Sequence, residues 1–292
     1  MRTFFSLCVV VVCSMAFGAE PFVKKANIPY VSGGGERQQL DIYLPLDYEK
    51  AEKPFPVICF IHGGGWAGRT PSQTFAANIF VAKGYAIAEI TYRFVPQDPM
   101  PAQVIDCKAA VRWLKAHAEE YNLDANRFVA WGHSAGGHLA AFLGAGGAKE
   151  FDVGENLDQS STVRAVVNYF GPTDLVGYGA EKSQRFKKLF GGTFEEKKDL
   201  AERMSPISHV TKTSSPMLIV HAVNDETVPI SHSRKLHQAL QKAGVESELF
   251  ELSTGGHSYR KLTSPETIER MTTFFEKHLM TSPLILEEVR QD

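Results

Sequence analysis

Mainly apolar stretches recur along this chain at strand length. They are Val57-Ile58-Cys59-Phe60-Ile61, Tyr85 to Tyr92 around Ala86-Ile87-Ala88, Arg127 to Trp131, Val163 to Phe170, and Met217-Leu218-Ile219-Val220-His221-Ala222. A strand with one wet face alternates apolar and polar residues, whereas a continuous run suits a strand covered on both sides. Helical patterns separate the runs. One covers Ser72 to Lys83 and stops at Gly84; another covers Ala102 to His117, with Val104, Ile105, Ala109, Val111 and Leu114 on its apolar side. Strand and helix in alternation predict an α/β fold with a mostly parallel, doubly wound sheet. Further on, Ser231 to Ala243 and Pro265 to Leu279 read as helices and Glu246 to Leu252 as a strand.

Two regions depart from this rhythm. At the start, Val23 to Val31 and Arg37 to Leu44 flank Ser32-Gly33-Gly34-Gly35-Glu36, and Leu40, Ile42 and Leu44 alternate with Asp41 and Tyr43. This predicts an antiparallel N-terminal hairpin with one buried face. Residues 175 to 215 are irregular and charged, with short helical pieces near 181 to 190 and 194 to 203. They form a small insertion over the C-terminal edge of the sheet, either bordering a site or serving as a solvated connection.

The first residues read as an export leader. Arg2 precedes an apolar run from Phe4 to Phe17, followed by Gly18 and Ala19. That is a secretory signal peptide over residues 1–18, leaving residues 19–292 as a single domain in the periplasm or outside the cell. The run is shorter than the roughly 20 residues that span a bilayer, so no stable membrane insertion is expected. A formal net charge of -2 gives no electrostatic basis for nucleic-acid binding. Cys59, in a strand, and Cys107, in a helix, read as small buried residues, with a disulfide open to an exported chain. No Cys/His spacing suits a metal, and no cofactor is expected.

The chemistry gathers at strand ends. Gly132-His133-Ser134-Ala135-Gly136 joins an apolar strand to a small-residue helical run. A serine at so sharp a turn stands clear of the backbone, with a helix N-terminus beside it; the bland reading is a glycine-rich turn. The strand ending at Ile61 runs into His62-Gly63-Gly64-Gly65-Trp66. Three glycines let backbone N–H groups face a cleft, as half of an oxyanion hole requires; a flexible loop is the alternative. His62 reads as the residue pinning that loop, and Trp66 as a cleft wall or a core aromatic. Asp225 and His257 follow the next suitable strands. Serine, imidazole and carboxylate together make a nucleophile, its base and the group that orients the base. Asp174 is a rival acid. His133, His138, His221, His232 and His237 read as structural, Asp106 and Arg112 as ion-pairing with neighbours, and Asp106, Asp152 and Asp158 as charges without special placement.

These motifs, with Asn224-Asp225 and Gly256-His257, resemble the α/β-hydrolase superfamily, and within it the HGGG esterases related to hormone-sensitive lipase. Gln39-Leu40-Asp41-Ile42-Tyr43-Leu44-Pro45 and the segment from Pro101 to Trp113 look closest to secreted bacterial esterases of the bifunctional acetyl xylan and feruloyl type. The resemblance implies an α/β-hydrolase fold, a serine esterase working through an acyl-enzyme with Ser134, Asp225 and His257, and oxyanion donors at Gly64, Gly65 and Ala135. Trp66 would touch substrate. It implies a small-molecule or polysaccharide ester as substrate; amide or peptide hydrolysis on the same fold is the alternative. Tyr92-Arg93 runs into Phe94-Val95-Pro96-Gln97 and the N-terminal cap is nearly absent, which departs from the lipase-type branch.

Overall fold

A computed structural model describes residues 21–68, 74–146, 149–181 and 183–279. Residues 1–18, which read as a signal peptide, and the chain end after 279 lie outside these described residues. Eight strands form one sheet: β1 (Val23–Pro29), β2 (Gln39–Leu44), β3 (Phe55–Ile61), β4 (Ala86–Ile90), β5 (Leu123–His133), β6 (Ala165–Tyr169), β7 (Met217–Ala222) and β8 (Ser247–Leu252), in the spatial order β1-β2-β4-β3-β5-β6-β7-β8. β1 and β2 are antiparallel to each other, β2 is antiparallel to β4, and all the rest run parallel. This is the α/β-hydrolase arrangement, mostly parallel with an antiparallel N-terminal hairpin.

The apolar runs are continuous because each strand feeds two cores. Val57, Cys59, Ile61, Ala130, Val166 and Ile219 point to one face. Ile58, Phe60, Val129, Trp131, Val167, Leu218 and Val220 point to the other. Helices α2 (Ala102–Ala116) and α3 (Ala135–Gly144) supply the first core, and α1 (Thr74–Phe80) and α9 (Pro265–Leu279) the second. The helix predicted over 72–83 is α1 followed by a 3-10 turn, Val81–Lys83, ended by Gly84 at φ 84°; its first two predicted residues fall outside the described ones. α7 (Ser231–Lys242) follows β7.

The stretch expected to be irregular is more ordered. It holds α4 (Leu175–Glu181), α5 (Ser183–Phe190) and α6 (Phe194–Arg203), the last with a Thr193/Glu196 capping box. Phe186, Leu189, Phe190, Ala201 and Met204 are buried, so the insertion packs onto the domain and is not a solvated connection.

Three expectations about charges and thiols are refined. Asp106 is fully buried and takes Arg93 through Nε, Nη2 and the backbone N–H, so its placement is specific. Asp152 receives Arg112, Lys108 and the Ser161 hydroxyl, and so is no isolated loop charge. Cys59 and Cys107 are both buried and unpaired, and burial pushes the Cys59 thiol up to about 12.

Candidate active site

Topology brings the glycine loop to the serine. The chain leaves β3 for β4 on one side, then crosses back to β5 on the other, so the loops after β3 and β5 open onto one crevice. Ile61 pairs with Gly132, placing His62 to Trp66 next to Ser134. The turn closes tightly: a Cβ on Gly136 would overlap the Ile61 carbonyl, and one on Gly132 the Gly136 carbonyl. Ser134 sits at φ 54°, ψ -121°, a conformation costing of order 1–3 kcal/mol outside glycine. Its N–H donates to the Tyr169 carbonyl at 2.9 Å, and its carbonyl accepts from His138 N–H at 3.0 Å. Strand pairing on one side and the first helical turn on the other hold the strained residue.

The side chains of Ser134, His257 and Asp225 meet. His257 Nε2 lies 2.8 Å from Ser134 Oγ, and its Nδ1 lies 2.7 Å from Asp225 Oδ2. A carboxylate only accepts, so Nδ1 carries the proton and Nε2 is free to accept the serine's. His257 follows β8, two strands beyond β6, and packs against Phe170 at 4.6 Å between ring centroids. That contact steers the ring back across the sheet edge.

Asp225 is held from four directions. Oδ1 accepts from the N–H groups of Thr227 (2.8 Å) and Val228 (3.0 Å), and Oδ2 faces His257 and a second imidazole, His221 Nε2 at 3.2 Å. Burial alone would raise its pKa, but donation from His221, His257 and the Val228 N–H outweighs this and holds the carboxyl well below the usual range. His221, which the sequence reads as structural, lies in β7 and does more than fill the core. Its Nε2 also meets the Val228 carbonyl at 3.0 Å, so this nitrogen carries the proton, while Nδ1 accepts from the Ser233 hydroxyl at 2.7 Å. His221 and Asp225 are four residues apart across a strand end, a spacing with no meaning until the turn is known.

The rival acid lies elsewhere: Asp174 caps Gly177 N–H at 2.9 Å and pairs with Lys235 at 2.8 Å. His62 stacks on Tyr92 at 4.4 Å between centroids, and its Nδ1 lies 2.7 Å from the Gly63 carbonyl, an anchor for the glycine loop. His133 Nε2 accepts from Gly63 N–H at 3.2 Å, and burial, with His62 and His257 nearby, pushes its pKa down to about 3. His138 accepts from Trp66 Nε1 at 3.3 Å and donates to the Met204 carbonyl at 2.8 Å; burial takes its pKa down to about 4. His232 on α7 is buried and accepts from the Thr173 and Asp174 N–H groups, the structural role expected of it.

A cleft of about 520 Å³ opens over these groups, lined by Gly64, Gly65, Trp66, Ser134, Phe170 and His257 among others. Trp66 is therefore cleft wall and core aromatic at once, being 4% exposed with φ 56°. Among the described residues nothing accepts a hydrogen bond from the N–H groups of Gly64, Gly65 or Ala135. Ala135 is the first residue of α3, where a helix offers unsatisfied N–H groups. Among the described residues there is no group of His, Cys, Asp and Glu able to hold a metal, and no helix long and apolar enough to cross a membrane.

Comparison with known proteins adds the lineage. Residues 40–240 match the BD-FAE family over most of the chain. The chain belongs to the BD-FAE family. Esterase LipC of Mycobacterium tuberculosis is 28% identical over 84% of this chain and 62% of its own length. This BD-FAE member thus spans about three-fifths of that curated relative. A truncated carbohydrate esterase from gut microbiota superposes with a TM-score of 0.80 at 28% identity, covering 90% of this chain and 99% of its own. An acetyl ester-xyloside bifunctional hydrolase from Caldicellulosiruptor lactoaceticus gives 0.70 at 26% identity, over 82% and 87%. Both share the BD-FAE chain's sheet and helical layers.

Proposed function

We propose that this protein is a serine carboxylic-ester hydrolase working through an acyl-enzyme. The observation that carries the reading is the unbroken line from Ser134 Oγ through His257 to Asp225, at 2.8 and 2.7 Å. As the serine attacks an ester carbonyl, His257 Nε2 takes its proton. The charge arising on the imidazole is met by an Asp225 carboxylate that stays ionised. The carbonyl oxygen becomes an oxyanion within reach of the Gly64, Gly65 and Ala135 N–H groups, which among the described residues have no acceptor to give up. Collapse of the tetrahedral intermediate passes the proton to the leaving alcohol, and water repeats the sequence on the acyl-enzyme.

The substrate reading is an acetyl or feruloyl ester of plant polysaccharide. It draws support from neighbours described as a carbohydrate esterase and an acetyl ester-xyloside hydrolase, and from a cleft larger than an acetyl group needs. Export through the leader at residues 1–18 would bring the enzyme to such a polymer. The test is Ser134→Ala assayed on p-nitrophenyl acetate and acetylated xylan. We expect kcat to fall by about 10⁶, with loss of labelling by a serine-directed phosphonate. Retention of most turnover would refute the mechanism.

A further inference from the structure

The wall of the cleft contributed by α5 carries two cations that the chemistry above does not use. Arg185 and Lys188 line the same cavity as Ser134 and His257. They are three residues apart on one helix, hence one turn apart on one face. The opposite side of α5 is fixed: Phe186 and Phe190 are buried with ring centroids 4.5 Å apart, and Phe186 meets Phe194 at 5.3 Å. This anchoring determines which residues turn toward the cleft. Arg185 Nη1 also donates to Tyr178 Oη at 3.5 Å, a long bond that leaves most of the guanidinium's donors available.

Among the described residues these charges are not offset locally. Among the described residues no Asp or Glu lines the cleft, and no carboxylate pairs with Arg185 or Lys188. Cations elsewhere in the same region are paired, Lys235 with Asp174 and Arg203 with Glu150. Asp225 cannot serve, because its oxygens are already taken up by four donors. The remaining wall is largely apolar, with Trp66, Val95, Phe170 and Val228. Low-dielectric walls focus the field of unpaired charges, and a guanidinium is shaped to take a carboxylate through two parallel bonds.

Resting on the ester-hydrolase reading, we infer that Arg185 and Lys188 form a carboxylate-binding subsite, and that the preferred substrate is an ester carrying a negative charge beside its scissile bond. The carboxylate can sit on the acyl half, as in a dicarboxylic half-ester, or on the alcohol half, as in an acetylated uronic acid. The two sources present the same group to the same cations.

The experiment compares kcat/KM for matched charged and uncharged esters. One arm sets p-nitrophenyl hemisuccinate against p-nitrophenyl butyrate. The other sets an acetylated glucuronic-acid glycoside against the corresponding acetylated glucoside. In at least one arm the charged ester is expected to win by about tenfold at low salt, and the preference to shrink as salt is raised to about 0.5 M. The arm that responds names the half bearing the charge. The R185Q/K188Q double variant is expected to bring the ratio to near unity, and Arg185→Glu to invert it. A ratio of one or less in both arms, or a preference untouched by the double variant, overturns the subsite while uncharged-ester turnover keeps the hydrolase reading intact. Absence of turnover on all four esters overturns both.

Discussion

The loops that carry Ser134, Asp225 and His257 and the helical insertion that carries Arg185 and Lys188 handle polar groups in opposite ways. On the sheet edge, Asp225, His221, His133 and His138 are buried and each is met by specific donors or acceptors, so each has one available orientation. On the insertion, apolar side chains are spent on anchorage, and Arg185 and Lys188 are left facing the cleft. A reacting centre tolerates little displacement, and buried networks supply rigidity. A recognition wall needs only that its backbone be fixed. The reaction should therefore be insensitive to changes on α5 that alter which ester is chosen.

The largest expected effect separates two carboxylates that each follow a strand. Asp225→Asn should lower kcat by about 10⁴, because the amide favours the wrong imidazole tautomer. Asp174→Asn should change kcat by less than about twofold, since it loses one surface-type ion pair. Steady-state kinetics on an uncharged ester decides; similar losses for both would erase the distinction between edge and insertion.

Next comes the anchor of the insertion. Phe186→Ala should cost about 3–5 kcal/mol, read as a lower denaturant midpoint with unchanged slope. A loss below about 1 kcal/mol would mean that α5 is loosely docked and that its cations have no fixed address.

The smallest effect concerns pH. His138 has its pKa lowered to about 4 in the fold, against about 6.5 when unfolded. Between those values the unfolded chain binds a proton that the folded one refuses, so this residue's contribution is present above pH 6.5 and is lost as pH falls toward 4. The loss amounts to at most about 1.4 kcal/mol per pH unit. His138→Gln, measured by urea unfolding at pH 7 and pH 4.5, should be less stable than the parent at pH 7 and lose less on acidification. An unchanged slope would indicate that the imidazole is not kept neutral by its burial.

Much of this was legible in the sequence where a residue's neighbours are set by its own strand or helix. β7 at Met217–Ala222 and α9 at Pro265–Leu279 have the bounds that their patterns predict. Ser134 could be placed because the turn around it is local, and Asp225 and His257 because strand ends share one edge. Helix α4 gave no such signal. Its segment Leu-Val-Gly-Tyr-Gly-Ala-Glu holds two glycines, which disfavour helix, and the burial of Leu175 and Tyr178 overrides that preference. Helix α8 (Tyr259–Leu262) is too short to show a period. The contact of His221 with Asp225 and the presence of Arg185 in the cleft depend on how loops and insertion fold back, and no spacing encodes that.

The three side chains of the proposed triad do not come from equally secure parts of the sheet. β5, which ends at the serine, is flanked by β3 and β6 and has its last six residues buried. β8, which precedes His257, has among the described residues a neighbour strand on one side only, and it has no fully buried residue. Local opening begins where few contacts hold the chain. A molecule that has let its outermost strand fray would still present the hydroxyl at its apex, with nothing left to draw off the proton. Keeping the proposed triad assembled under stress is thus a matter of fastening the rim, and further reinforcement of an already secure centre would add little.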